Sequence, residues 1–202
     1  MKKTIILGAS LALLLASASS IHAATITVQN PSFEIATGGG SFPPADFWPG
    51  SSFTENSASV GITTGGDGPR HNGQDSNSTA NQDLGVAFLA DTVYTLTIAI
   101  GNRTSDPGNP TGTARFGLTD GGTEVGTFTG ATSPGGTFLD STYVFTTGAV
   151  APTGNVGIRL QGVNGRGLFD NVRLDASPVP EPSTALCALI GGSLILARRR
   201  RR

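Results

Sequence analysis

Residue types that could carry out catalysis are scarce in this sequence. Between residues 24 and 177 there is a single histidine, His71, and the only cysteine of the chain, Cys187, lies near the C-terminus. A Cys–His pair and a zinc site of His and Cys ligands are therefore excluded there, and a Ser-His-Asp triad would have to use His71. The glutamates Glu34, Glu55 and Glu124 leave paired-carboxylate chemistry open. The sequence thus favours a protein that is not an enzyme.

Four residues are candidates for binding a ligand. Trp48, the only tryptophan, could stack on the apolar face of a sugar ring, although a single tryptophan often fills a core instead. Arg159 alternates with apolar residues, so it should lie on the opposite sheet face, where it could bond hydroxyls or carboxylates. Asn102 and Arg103 directly follow the most regular predicted strand and could join it at the rim. Together they predict a surface that binds polysaccharide.

Hydrophobic alternation predicts that strands position these residues. From Val93 to Ile100, four apolar or aromatic residues fall on one face and four smaller residues on the other, as in a half-buried strand. Asp120-Gly121-Gly122 between two such runs is typical of a hairpin loop. The predicted strands are Thr25–Gln29, Phe33–Ala36, Ala58–Thr63, Gln82–Leu89, Val93–Ile100, Thr113–Thr119, Thr123–Thr129, Thr137–Thr147, Asn155–Gln161 and Leu168–Asp175. Nine or ten short strands without a helical period indicate an all-β fold, a β-sandwich or jelly roll.

Two polar stretches are predicted to be exposed loops. One is RHNGQDSNSTAN, from Arg70 to Asn81, and the other runs from Asn102 to Thr113. Loops on a rigid sandwich can hold ligand contacts, but a sandwich also tolerates loop insertions that have no function.

The two ends of the region between residues 24 and 177 carry short motifs. It opens with Asn30-Pro31-Ser32-Phe33-Glu34 and closes with Phe169-Asp170-Asn171-Val172. These motifs resemble the ends of galactose-binding-like jelly rolls, the fold of many carbohydrate-binding modules. The resemblance implies a structural calcium ion, for which Glu34 and Asp170 would be the side-chain ligands, together with carbonyl oxygens. The alternative is that both are half-exposed acids paired with arginines.

The charge of the same region limits its partners. Residues 24–177 contain six arginines and no lysine against thirteen acidic residues, a net charge near −7. Nucleic acids and anionic lipids attract clustered basic residues, so neither is expected as a partner.

The N-terminus reads as a secretory signal peptide. Lys2-Lys3 precede an apolar stretch from Ile5 to Ala16, and small residues lead to a cleavage site after Ala23. We therefore expect residues 1–23 to be the signal, 24–177 to be one exported domain and 178–202 to be a separate C-terminal segment.

The C-terminal segment has three parts in a fixed order. An apolar run over 184–197 predicts a membrane helix, and the arginines at 198–202 would keep its end in the cytoplasm. Before them stand Val179, Pro180, Glu181, Pro182 and Ser183. This order resembles the PEP-CTERM sorting signal of Gram-negative bacteria, which implies processing by an exosortase-type protease. The alternative is an ordinary tail anchor preceded by a proline-rich spacer.

These expectations combine into one functional hypothesis. The sequence predicts an exported protein that passes through the inner membrane to the cell surface, outer envelope or extracellular matrix. There it would bind polysaccharide or serve as a matrix component. The alternatives are an exported jelly-roll enzyme acting on a glycan or small molecule, and a purely structural surface protein.

Overall fold

The structure, a computed structural model, describes residues 23–38, 42–105, 111–131 and 133–179. In this part of the chain it contains ten β-strands and one short 3-10 turn, Ser57–Val60. The strands are β1 (Ala24–Ile26), β2 (Phe53–Asn56), β3 (Arg70–Gln74), β4 (Thr79–Ala87), β5 (Thr92–Asn102), β6 (Thr113–Asp120), β7 (Thr123–Ala131), β8 (Thr137–Thr146), β9 (Asn155–Val163) and β10 (Gly167–Pro178).

The strands form two antiparallel sheets packed face to face. The six-stranded sheet has the order β2-β3-β10-β5-β8, with β1 also paired to β10, and the four-stranded sheet has the order β4-β9-β6-β7. The predicted all-β sandwich of about ten strands is therefore confirmed. The Asp120-Gly121-Gly122 hairpin also forms, because Asp120 pairs with Thr123 across the turn and both glycines adopt positive φ.

The main core lies between the sheets and follows the alternation of the central strands. In β5, Leu96 and Ile98 are fully buried, and in the facing sheet Phe116 and Leu160 are buried as well. Trp48 completes this core, with its ring centroid 5.2 Å from that of Phe33. Burial of these large side chains supplies most of the hydrophobic stabilisation of the sandwich.

Three predicted elements differ from the structure. The polar stretch Arg70–Asn81, expected to be an exposed loop, contains β3 and the start of β4. Ala58–Thr63, expected to be a strand, has its first half in the 3-10 turn, where Asn56 accepts backbone N–H bonds as its N-cap. Phe33–Ala36 forms no strand, since Phe33 sits in a turn at φ 56°.

A second, smaller apolar cluster lies on the outer face of the six-stranded sheet. It contains Val60, Ile62, Ala99, Phe138 and Leu168 and is separate from the core between the sheets. The connection from β2 to β3 folds over this face and contributes the first two of these residues. The outer face is thus partly covered, which creates a sheltered environment outside the main core.

Both ends of the described sandwich emerge at the same place. β1 pairs with the end of β10, with Ala24 opposite Ala176, and the N–H of Val179 donates to the carbonyl of Asp91. No helix among the described residues is long and apolar enough to cross a membrane. Several predicted segments lie outside the described residues: positions 1–22 of the signal peptide, the Pro180–Ser183 part of the sorting motif, the membrane helix and the arginine cluster.

Candidate functional site

Strands β2 and β3 bring polar side chains onto the outer face of the six-stranded sheet. Glu55 lies directly opposite His71, and two residues along, Phe53 lies opposite Gly73, which in turn lies opposite Leu168 of β10. Directly opposed residues in antiparallel strands share a face, so Glu55 and His71 share the face of Leu168. Both are buried, His71 completely.

His71 sits between a hydroxyl and a carboxylate. Its Nδ1 lies 3.0 Å from the Ser57 hydroxyl oxygen, and its Nε2 lies 3.5 Å from Glu55 Oε2. The ring packs edge-on against Phe138, with the centroids 5.6 Å apart. Burial lowers the pKa of His71, and the nearby Arg103 and Arg166 lower it further, while Glu55 works in the opposite direction. His71 is therefore neutral near pH 7.

Glu55 is the negative centre of this site. Its Oε2 lies 2.9 Å from Arg103 Nη2 and 3.8 Å from Arg166 Nη1. Burial acts to raise the pKa of Glu55, but the contact with His71 and the charges of Arg103 and Arg166 together outweigh it and lower the pKa. Glu55 is thus a carboxylate held in place by two guanidinium groups.

Arg166 is in turn fixed by three contacts. Its Nε donates to Asp75 at 2.8 Å, its Nη1 lies 3.8 Å from Glu55, and its guanidinium carbon lies 4.5 Å from the centre of the Phe53 ring. The stacked ring and the two acids hold the guanidinium in a single orientation.

A cavity of about 360 Å³ opens beside this network. Ser57 and Phe138 line it, and both also contact the His71 ring. The remaining lining residues are the last residue of β2, Asn56, and residues of the connection between β2 and β3: Ala58, Ile62, Thr63, Thr64, Gly65, Gly66, Gly68 and Pro69. The cavity can therefore hold a small molecule against Ser57, the residue whose hydroxyl contacts a buried, neutral imidazole.

The two predicted calcium ligands lie against the same glycine-rich turn, Gly65–Gly68. A Cβ built on Gly66 would lie 2.8 Å from Asp170 Oδ2, and one on Gly68 would lie 2.4 Å from Glu34 Oε1. Asp170 is completely buried, although half-exposed acids were the alternative prediction. Within the described ranges, no three His, Cys, Asp or Glu side chains gather into a metal-binding group.

Asp170 is an unusual carboxyl group. Its two oxygens accept the backbone N–H groups of Asp67 and Asn171, at 2.7 and 2.8 Å. Burial nevertheless raises the pKa of Asp170 to about 7, and the nearby charges of Asp67 and Glu34 add to this effect. The turn therefore collects negative charge that a cation would neutralise.

Trp48 does not lie where a sugar platform would. It is only 1% exposed, packs against Phe33 in the main core and donates from Nε1 to the Asn30 carbonyl at 3.2 Å. The reason is hydrophobic: its large ring fills the space between the sheets. A stacking role for Trp48 at the surface is therefore replaced by a role in the core.

The remaining predicted ligand residues do not form one surface. Arg159 lies on the outer face of the four-stranded sheet, as the alternation predicts, and bonds Asn81, Glu124 and the Gly122 carbonyl. Arg103 lies in the Glu55 network beside the other sheet. Asn102, next to it, donates to the Ser133 carbonyl at 2.7 Å.

Most of the site is not recognisable in the sequence. The polarity of Arg70–Asn81 predicts that His71 lies in an exposed loop, Glu55 is only one of three glutamates between residues 24 and 177, and no pattern marks Ser57 or assigns Arg166 to this site. One signal is present: the polar stretch contains the only histidine between residues 24 and 177 together with an acid, Asp75. Because apolar residues do not alternate with polar ones in β3, the hydrophobic pattern of the sequence does not predict a buried strand there.

Known proteins give the family of the chain. The model of the HpiC1-like family, described as HpiC1 cyclase, matches residues 24–175. Among curated proteins, no match is found.

Two solved cyclase structures share the fold. The Stig cyclase Fisc from Fischerella sp. TAU, in complex with (3Z)-3-(1-methyl-2-pyrrolidinylidene)-3H-indole, is 22% identical, with a TM-score of 0.65 over 78% of this chain and 99% of that one. A cyclase from the same source with 4-(1H-indol-3-yl)butan-2-one bound is 23% identical, with a TM-score of 0.58 over 77% and 98%.

These matches correct two predictions made from the sequence. The expected role as a polysaccharide-binding or matrix protein is wrong, and so is the expected absence of enzymatic activity, because the matching family is one of cyclases. The alternative prediction, an enzyme, agrees better with these matches. Since the family model spans most of the sequence, the chain belongs to the HpiC1-like cyclase family.

Proposed function

We propose that this protein is an exported jelly-roll cyclase that closes a ring in a small organic molecule held in the cavity beside Ser57 and Phe138. The observation that carries the proposal is the match of the cyclase family model to residues 24–175. The cavity supports it, because its volume of about 360 Å³ falls at the small end of the roughly 300–1,000 Å³ typical of ligand sites.

The lining of the cavity limits the substrate. Ile62 and Phe138 offer apolar and aromatic contacts, while Ser57, Thr63 and Thr64 offer hydroxyl groups. A compact molecule with an aromatic part and one or two polar groups fits this lining, and the indoles bound by the Fischerella cyclases have this character. Ring closure within such a molecule needs a fixed conformation, exclusion of water and a group that moves a proton.

Binding of a defined indole tests the site. The full-length protein is titrated with 4-(1H-indol-3-yl)butan-2-one by calorimetry, with Phe138→Ala as the test variant and Leu139→Ala as the control. Leu139 is the adjacent residue and is 51% exposed. Loss of the ring should weaken binding at least about tenfold, which corresponds to roughly 1.4 kcal/mol.

The same protein is then incubated with 3-substituted indoles, and products are followed by liquid chromatography and mass spectrometry. A cyclase that only rearranges bonds produces an isomer with the mass of its substrate. The proposal fails if the indole does not bind, or if it binds equally well to Phe138→Ala.

We also propose that Glu34 and Asp170 hold a structural calcium ion at the Gly65–Gly68 turn, with carbonyl oxygens completing its coordination. Two observations support this fit: both carboxylates lie against the same turn, and Asp170 carries a raised pKa caused by burial and neighbouring acids. Calcium prefers such hard oxygen donors, and its charge would offset the repulsion among them.

Thermal melting tests the calcium proposal. Calcium at about 100 times its Kd should stabilise the protein by roughly 2.7 kcal/mol relative to chelator. Asp170→Asn should lose this response, whereas Asp140→Asn, which alters an exposed carboxylate paired with Arg173, should keep it. Coincident melting curves in calcium and in chelator would contradict the proposal that this turn binds calcium.

We further propose that the chain is exported through residues 1–23 and sorted at its C-terminus by an exosortase-type protease, passing through the inner membrane towards the cell surface. Two observations support this proposal. The motif, apolar run and arginines stand in the required order, and Val179, the first residue of the motif, directly follows the last residue of β10. Proteolytic processing concentrates at segments that directly follow a folded domain.

A further inference from the structure

Ser57 is held rigidly at the wall of the cavity. Its backbone N–H donates to the Pro69 carbonyl at 2.9 Å, and its own carbonyl accepts the N–H of Ile62 at 2.9 Å. The preceding Asn56 caps the 3-10 turn that Ser57 begins. Both ends of the turn are therefore fixed, so Ser57 stays at the cavity wall with its hydroxyl in contact with His71.

The geometry around His71 defines its tautomer. Nε2 makes no hydrogen bond among the described residues, and the group facing it is the Glu55 carboxylate, 3.5 Å away, whose negative charge favours the tautomer with the hydrogen on Nε2. The other nitrogen, Nδ1, then has a free lone pair directed at the Ser57 hydroxyl, 3.0 Å away. Ser57 is therefore the donor in this contact, and its oxygen is made more basic towards the cavity.

From these contacts we propose that Ser57, His71 and Glu55 form a proton relay in which the Ser57 hydroxyl exchanges a proton with the molecule in the cavity. The proposal rests on the proposed cyclase function and names the residues that move the proton. Ser57 is the catalytic residue, because it lines the cavity, whereas His71 acts through Ser57 and Glu55 acts through His71.

The transfer balances within the site. As the Ser57 oxygen takes a proton from the substrate, the original hydroxyl proton passes to Nδ1 of His71. The charge of the resulting imidazolium is stabilised by the Glu55 carboxylate, which lies 3.5 Å from Nε2. The reverse movement returns a proton to the ring-closed product, so the relay ends in its starting state. No oxidant or other reactant is consumed, which suits a reaction that only rearranges bonds.

The charges packed against His71 suit this role. Glu55 from β2 stabilises the imidazolium, while Arg103, which follows β5, and Arg166, which precedes β10, oppose it. Asp75 in turn neutralises part of the Arg166 charge. The neutral imidazole is therefore the resting form near pH 7, and the imidazolium formed during transfer readily gives its proton back.

A serine-reactive probe tests the relay without a cyclase substrate. With phenylmethanesulfonyl fluoride, the Ser57 oxygen bonds to sulfur, fluoride leaves and the hydroxyl proton passes to His71. Peptide mass spectrometry of the full-length protein should locate the label on Ser57. Ser57→Ala should abolish that label, and Ser59→Ala, an exposed neighbour whose hydroxyl bonds the Asn56 carbonyl, should retain it.

His71 and Glu55 are examined through the rate of labelling. His71→Gln should slow modification of Ser57 about 100-fold, within the range for loss of a general base, and Glu55→Gln should slow it by a smaller factor. Thermal melting identifies any variant that has not folded. The labelling rate of a folded variant is then compared with that of the unaltered protein. In the unaltered protein the rate should fall as acid protonates His71, and this inflection should vanish in His71→Gln.

Two outcomes would overturn the relay: a Ser57 labelling rate that is the same in folded His71→Gln or Glu55→Gln, or no label on Ser57 while 4-(1H-indol-3-yl)butan-2-one binds. The proposed function fails separately. If Ser57 is labelled in a His71-dependent way but no indole is bound or cyclised, the relay stands and the cyclase proposal falls.

Discussion

At the scale of single residues, the site depends on one imidazole kept neutral among four charged groups. His71 is completely buried, and its surroundings include Glu55 and Asp75 as well as Arg103 and Arg166. Removing one member of such a network leaves a buried charge without its partner, which costs more than the net contribution of the intact pair. The network therefore holds its members in fixed positions more than it adds stability.

The neutral state of His71 predicts a pH dependence of stability. Its folded-state pKa lies below the ordinary value of 6.5, so below that pH the unfolded chain binds a proton that the folded chain does not. Stability contributed at this position should therefore decline as pH falls from 7 to 5, by up to about 1.4 kcal/mol per pH unit.

Chemical denaturation of the unaltered protein and of His71→Gln measures this contribution. The difference between their free energies of unfolding should shrink as the solution becomes more acidic. All other titrating groups, including His22, are present in both proteins and largely cancel in the comparison. Parallel stability curves between pH 7 and pH 5 would mean that His71 is not held neutral.

Individual site residues could be predicted only where their chemistry is rare in the sequence. His71 stands out because no other histidine occurs between residues 24 and 177, whereas the role of Glu34 and Asp170 as calcium ligands, taken from short motifs, stays a prediction. Ser57 was not recognised, since it is one of many serines and acquires its contact only when the connection after β2 folds back towards β3.

At the scale of secondary structure, alternation predicted the strands that are buried on one face by apolar residues. β5, β6, β8 and β9 were predicted close to their observed bounds for this reason. β3 was missed because its residues are buried through polar contacts: Gln74 donates to Asn72, and Asn72 donates to the Phe53 carbonyl. Burial through side-chain hydrogen bonds does not produce a periodic pattern of apolar residues in the sequence.

Pairing of β5 with β8 determines the shape of the cavity. Gly101 lies opposite Phe138, and a Cβ at Gly101 would come within 2.5 Å of the Phe138 ring. Gly101→Ala should therefore displace this ring, destabilise the protein by about 1–3 kcal/mol and weaken indole binding.

The matched control for this change is Gly148→Ala, because a Cβ at Gly148 would meet no atom within 4 Å. Thermal melting and calorimetric titration of both variants are the measurements. Equal melting temperatures for the two variants would show that Phe138 is not constrained by Gly101.

At the scale of the whole molecule, the ends of the chain meet at one end of the sandwich. Composition and short alternating runs were sufficient to predict the all-β fold, whereas export stays a prediction from the terminal segments. The sequence pattern could not reveal that the chain belongs to a cyclase family, because the polar site is assembled from β2, β3 and residues beside β5 and β10.

The sorting proposal is tested by replacing Pro180, Glu181 and Pro182 with alanine in the producing cell. Loss of the motif should leave the protein unprocessed and retained in the membrane fraction, as seen by its size and location on immunoblots. Val150→Ala is the control, since this residue is 88% exposed and lies in the neighbouring β8–β9 connection. Normal processing of the alanine variant would contradict the proposal.

The pairing of Pro178 with Thr92 has a consequence for access to the cavity. β5 runs from Thr92, beside the exit of the chain, to Gly101, which lies against Phe138 at the cavity wall. At about 3.3 Å per residue, this distance is roughly 30 Å. The exit of the chain and the wall of the cavity therefore lie near opposite ends of β5, so a partner that binds at one of these places does not have to cover the other.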